Sequence, residues 1–177
     1  MFNKFGGNIY LIGFMASGKS TIGPLLAKKM KRPFLDTDEW IEVETGLSIA
    51  EFFQKYGEAE FRRKENNCIR KIAEINAMVI AVGGGAVINP ANWLRLKQSG
   101  ITIYLKCPVQ EIIKRVNKDS SRPLLTGDES QKADRIRNLF LEREPFYEMA
   151  DITIECQPND IPETTVKRII EKLEVTL

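Results

Sequence analysis

The sequence contains no histidine. That removes the side chain most often used as a general base and metal ligand near neutral pH, so any proton transfer must use a carboxylate, a lysine or water. Cysteine is scarce. Cys68, Cys107 and Cys156 lie far apart, form no C-x-x-C pair and leave an odd count. This speaks against a disulfide framework or a zinc site, and for reduced thiols in a cytoplasmic protein. No apolar run approaches the length of a membrane span, and the N-terminus has no signal-peptide pattern, so no membrane association is expected. Neither charge sign is in excess: 26 basic residues face 24 acidic ones, a net charge of +2. No general attraction to nucleic acid follows, and anion binding must come from local clusters. Internal repeats and low-complexity linkers are missing too.

What remains is a chain of 177 residues, 43% hydrophobic, which fits one domain over 1–177 with a single core. Short apolar runs predict strands over 8–12, 33–35, 78–82, 101–105 and 152–155. They are almost wholly apolar, as parallel strands buried on both faces should be. Segments of helical period follow at 19–31, 38–44, 48–55, 58–75, 90–99, 108–117, 130–149 and 161–173. Pro90 and Pro108 suit first helical turns, and Pro145 should end or kink its helix. The alternation predicts an α/β fold with a parallel sheet covered by helices. The polar stretch 118–129, KDSSRPLLTGDE, is long for a connection between helices and reads equally as a mobile lid or an inert surface loop.

After the first run comes GFMASGKST, which fits G-x-x-x-x-G-K-[ST] with Gly13, Gly18, Lys19 and Ser20. A loop between a strand and a helix N-terminus turns backbone N–H groups inward on a phosphate chain. Lys19 should reach the β- and γ-phosphates, Ser20 should hold Mg²⁺, and the Thr21 hydroxyl lies near. Ala16 stands where some such loops have another glycine, with no consequence expected. A base-reading N-K-x-D motif is missing, and the 78–82 run ends in Gly83-Gly84-Gly85 rather than in Asp, so neither a GTPase nor a motor ATPase is indicated. The acidic pair is Asp36-Thr37-Asp38, placed by a parallel sheet at the same edge as the phosphate loop. One carboxylate near Mg²⁺ and one near an acceptor hydroxyl is what phosphoryl transfer to a small molecule requires. An ordinary helix N-cap is the competing role for Asp38.

Three further places bear on the acceptor. In GEAEFRRKE, Arg62 shares a helix face with Glu58 and Glu65, either as a solvated ion-pair patch or as an arginine oriented by Glu65 for a substrate carboxylate. Gly83-Gly84-Gly85 leaves bare backbone, for a tight turn or for close approach of a ligand. Arg115, Arg122 and Arg143 are either surface charges or phosphate and carboxylate ligands, with Arg115 able to stack on an adenine ring.

Taken in order, GFMASGKST, LDTD, SIAEFF, GEAEFRRKE, AVGGGAV, RPLL and LEREPFY make a sequence that resembles the shikimate kinases. The resemblance implies a P-loop NTPase fold of the nucleoside-monophosphate-kinase kind. Such a fold has a five-stranded parallel sheet in a three-layer α/β/α arrangement, a substrate-binding helical region near 36–65 and a lid near 118–130. It implies transfer of the γ-phosphoryl group of ATP to the 3-hydroxyl of shikimate by a cytoplasmic monomer. Met15, Ala16, Ser17, Gly18, Lys19 and Ser20 would wrap the phosphates, with Ser20 and Asp36 serving Mg²⁺. Asp38 would bind the shikimate hydroxyls and accept the proton. Arg62 and Arg143 would clamp the carboxylate beside Gly83, Gly84 and Gly85. Arg122 would meet the phosphates from the lid, while Arg115 and Pro162 would border adenine. The stretch 156–161 matches the family least. A different small-molecule P-loop kinase, of the gluconate kinase kind, would share the loop but would not need the Arg62, Glu65 and Arg143 set.

Overall fold

A computed structural model describes residues 5–117, 129–157 and 159–176. Five parallel strands form one sheet in the order β2-β3-β1-β4-β5, namely β1 (Asn8–Ile12), β2 (Phe34–Asp36), β3 (Val79–Ala81), β4 (Gly100–Lys106) and β5 (Ile152–Glu155). The helices between them are α1 (Lys19–Met30), α2 (Thr37–Thr45), α3 (Ile49–Ile72), α4 (Pro90–Ser99), α5 (Val109–Asn117), α6 (Glu129–Tyr147) and α7 (Pro162–Thr176). A short 3-10 turn at Ala86–Ile88 precedes α4.

β1 is central, and Ile9, Tyr10, Leu11 and Ile12 are all fully buried. Successive residues of a strand point to opposite faces, so this run requires helices on both faces of the sheet. Leu11 is paired with Ala81 on one side and Ile103 on the other, while Asp36 pairs with Ala81 one strand further out. The ends of β1, β2 and β3 therefore sit side by side. Because every strand is parallel, the loops after them open on one edge, where ligands bind in sheets of this kind. Asn8 is buried but satisfied: its amide donates to the carbonyls of Ile72 and Ile75 and accepts from the Met78 amide, tying the end of α3 to the start of β3.

α3 is one element only in outline. Ser48 and Glu51 form a reciprocal capping box at its start, and Gly57 breaks it at φ 78°, ψ 173°. The break agrees with the two helices read from the sequence. Phe61, from the second half, packs on Phe53 at 4.7 Å and Phe52 at 6.2 Å from the first, so aromatic contact bridges the bend. Gly57→Ala forces a side chain into a backbone region used almost only by glycine and is expected to lower folding stability by about 1–3 kcal/mol in urea denaturation. Unchanged stability contradicts this account of the bend.

Pro145 does not end its helix at once. α6 runs to Tyr147, with the missing N–H in its last turn. The lid expected over 118–129 lies outside the described residues, apart from Glu129, which begins α6. Among the described residues no helix is long and apolar enough to cross a membrane, and the three cysteines are free and buried.

Candidate active site

At the exposed edge of the sheet lies a cleft of about 420 Å³. The loop after β1 lines one side of it with Met15, Ala16, Ser17, Gly18, Lys19, Ser20 and Thr21. Gly18 caps α1 at φ 102° and Ala16 sits at φ 57°. The glycine found in some such loops at the position of Ala16 thus has a physical reason. Alanine there is not without consequence: a left-handed alanine costs about 1 kcal/mol. Lys19 Nζ donates to the carbonyls of Gly13 and Phe14, both at 2.9 Å, which holds the ammonium against the loop. Arg115 of α5 reaches the same loop and donates to the Ala16 carbonyl at 3.0 Å.

The carboxylates at the end of β2 divide their work. Asp36 is the N-cap of α2: Oδ1 accepts from the Asp38 amide at 3.0 Å, and Oδ2 accepts from the Ser20 hydroxyl at 2.6 Å. The capping role considered for Asp38 therefore belongs to Asp36, and the Asp38 side chain, two residues on, lines the cleft. Ser20 and Asp36 present oxygen donors side by side, the ligand type that a hard cation such as Mg²⁺ prefers. No group of three His, Cys, Asp or Glu suited to a metal occurs among the described residues. A nucleotide-borne Mg²⁺ asks for no more than one or two protein ligands beside the phosphates, so the donor set fits.

Each glycine of the run after β3 gives way to a different neighbour. A Cβ on Gly83 would stand 2.6 Å from Asp38 Oδ1 and 3.0 Å from Glu65 Oε1. One on Gly84 would lie 3.3 Å from the Gly13 carbonyl oxygen, and one on Gly85 would overlap the Arg62 guanidinium. The run is thus more than a turn: it lets α2, α3 and the phosphate loop approach one strand end. Thr37 holds it from one side, its hydroxyl accepting from the Gly83 amide at 2.8 Å.

Arg62 is not a solvated patch. It pairs with Glu65 at 2.8 Å and Glu58 at 3.1 Å, and the Glu65 side chain is only 2% exposed. Burial opposes the Arg62 charge, but Glu65 and Glu58 outweigh it and keep the guanidinium protonated. Burial pushes the Glu65 carboxyl up to about 7 although Arg62 and Arg143 favour its ionised form, and Asp38 adds repulsion. The folded chain thus holds a proton on Glu65 that the unfolded chain releases near 4.5. Its contribution to stability is complete below that value and is lost as pH rises through 7. With no imidazole in the sequence to titrate in the same window, the stability of the wild type relative to Glu65→Gln is expected to fall between pH 5 and 8. A constant difference in chemical denaturation across that range contradicts the assignment.

Arg143, 7% exposed, lies over the Phe14 ring at 6.0 Å, and its Nε has no partner among the described residues. The charges of both Arg62 and Arg143 act on Glu65. Sequence reasoning missed the residues that hold this arrangement. Thr37 is one; Tyr147, whose hydroxyl donates to the Gly84 carbonyl at 2.6 Å, is another. Asn66 and Asn92 join α3 to α4, and Asn92 donates to the Ala86 carbonyl behind the glycines. The cleft is also lined by Pro162, together with Cys156, Gln157, Asp160 and Thr165, of which the sequence reading had assigned Pro162 alone. Arg122 lies outside the described residues.

Comparison with known proteins points to one family. The family model described as Shikimate kinase matches residues 15–174. A shikimate kinase of Caldanaerobacter subterraneus subsp. tengcongensis is 40% identical over 94% of this chain and 93% of its own length. A structure of shikimate kinase from Acinetobacter baumannii in complex with shikimate superposes with a TM-score of 0.92 at 36% identity, covering 98% of this chain and 96% of that one. A deoxyadenosine kinase from M. mycoides, 18% identical with a TM-score of 0.63 over 95% of this chain and 99% of its own, shares the fold. By sequence, fold and matched length, the chain belongs to the shikimate kinase family.

Proposed function

We propose that the chain transfers the γ-phosphoryl group of ATP to the 3-hydroxyl of shikimate, giving shikimate 3-phosphate and ADP. The observation that carries this reading is the meeting of Asp38, Glu65 and Arg62 at the glycine run, directly beside the phosphate loop. A small polyhydroxylated acid needs a carboxylate to take up a hydroxyl proton and arginines to bind its own carboxylate, and both are held at one edge of the cleft. The relative that superposes over nearly all of the chain carries shikimate.

In this reading the backbone of Met15–Ser20 cradles the phosphates and Lys19 leaves the loop carbonyls to meet the β- and γ-oxygens. Ser20 and Asp36 hold Mg²⁺, which when bound neutralises charge on those oxygens. Arg62 and Arg143 bind the shikimate carboxylate in a fixed orientation, since guanidinium matches carboxylate in two parallel bonds. Asp38 accepts the proton of the 3-hydroxyl as that oxygen bonds to the γ-phosphorus and the bond to the β–γ bridging oxygen breaks. The absence of histidine costs nothing here, because phosphoryl transfer rests on position and electrostatics. Arg115 and Pro162 border the base. The enzyme acts as a cytoplasmic monomer.

Coupled ADP-release assays with shikimate, gluconate and nucleoside monophosphates test the reading. Turnover with shikimate is expected; none above background overturns it, and turnover with gluconate instead would make the chain a different small-molecule kinase.

A further inference from the structure

Tyr147 closes α6 and is fully buried, yet its phenol has a polar partner. It donates to the Gly84 carbonyl at 2.6 Å, and the Arg143 charge acts on it. Arg143 and Tyr147 are four residues apart on one helix and so share a face. The ring packs against Tyr104 at 5.4 Å. A Cβ on Gly84 would lie 3.5 Å from the phenol oxygen, so glycine leaves the room this contact uses. From the opposite side Thr37 holds the Gly83 amide. The peptide backbone of the glycine run is therefore pinned between α2 and α6. On the α6 side the pin is the Tyr147 hydroxyl, four residues along the helix from Arg143.

We infer that Tyr147 is a positioning residue for the acceptor site, its hydroxyl fixing the Gly84 backbone where the glycine run borders the substrate. The inference rests on the acceptor site proposed above. Tyr147 itself touches no substrate; it acts through Gly84. The competing role is packing alone, filling the space beside Tyr104. The two roles part company at the hydroxyl, because phenylalanine keeps the ring and loses only the hydrogen bond to Gly84.

The test is Tyr147→Phe in the full chain, assayed for ADP release with shikimate and ATP varied in turn, beside wild type and Tyr104→Phe. Leaving a buried carbonyl of the glycine run short of a partner is expected to raise KM for shikimate about tenfold. KM for ATP should stay within about twofold, since Lys19, Ser20 and Arg115 keep their contacts. Tyr104 is the matched control: its hydroxyl is buried with no hydrogen-bond partner among the described residues, so its removal should move neither KM. An unchanged shikimate KM in Tyr147→Phe overturns the inference. So does a parallel loss of both affinities, which marks packing, and so does an equal effect from Tyr104→Phe. A wild-type chain that does not phosphorylate shikimate at all overturns instead the function on which the inference rests.

Discussion

Asp38→Asn is expected to reduce kcat with shikimate by about two orders of magnitude or more, the size of a lost general base. The argument begins with a turn. β2 is three residues long and ends on Asp36, and α2 begins at the next residue. Capping falls to Asp36, which also takes the Ser20 hydroxyl, so Asp38 is spared both duties. Its carboxylate is placed beside Gly83, close enough to occupy the space of a side chain there. Asparagine keeps the shape and the amide that Asp36 caps, so the fold and the ATP site should persist, and KM for ATP should change little. What it removes is the ability to take a proton. Turnover near wild type in steady-state kinetics would strip Asp38 of that role and leave it only an orienting one.

Arg62→Ala is expected to raise KM for shikimate about a hundredfold with ATP binding intact, in line with truncating one partner of a buried, hydrogen-bonded charge pair. Arg62 is oriented before any substrate arrives, by Glu65 from inside and Glu58 from outside. The loss of the guanidinium is compounded by what it leaves behind. Glu65 is nearly fully buried and already pushed up to about 7 by that burial, so without Arg62 it is expected to stay protonated at neutral pH. That spares the fold an unpaired buried charge, and the damage should appear in acceptor binding rather than in stability. Arg62→Lys is the informative companion: it keeps the charge but not the fork, and should recover only part of the affinity. Calorimetric titration with shikimate and with ATP checks both variants. Equal loss of the two ligands contradicts the assignment and marks a folding defect.

The parts of this site that were legible in sequence are those whose physics is local. β1 reads as a strand because both its faces are buried, and its boundaries agree with the sequence reading. The phosphate loop reads because strand, glycines, lysine and hydroxyl must follow one another without a gap. The bend in α3 shows as two helical patterns with Gly57 between them. Capping was harder: Asp36 and Asp38 are two residues apart, and which one caps depends on where β2 stops. The supports were not legible at all. Thr37 bonds a backbone amide 46 residues away, and Tyr147 a carbonyl 63 residues away. Such bonds leave no spacing to read. The same holds for Gln157, Asp160 and Thr165, brought to the cleft by the end of β5 and the start of α7 without any motif of their own.

The account comes down to a division of the cleft, with the donor held by the loop after β1 and the acceptor by the ends of β2 and β3, α3 and α6. A crystal structure of the chain with shikimate and ADP tests that most directly. The predicted result is a shikimate carboxylate held between Arg62 and Arg143, with the ring beside Gly84 and the 3-hydroxyl within hydrogen-bond distance of Asp38, on the side facing Lys19. A carboxylate bound away from both arginines, or a 3-hydroxyl turned away from Asp38, would contradict it.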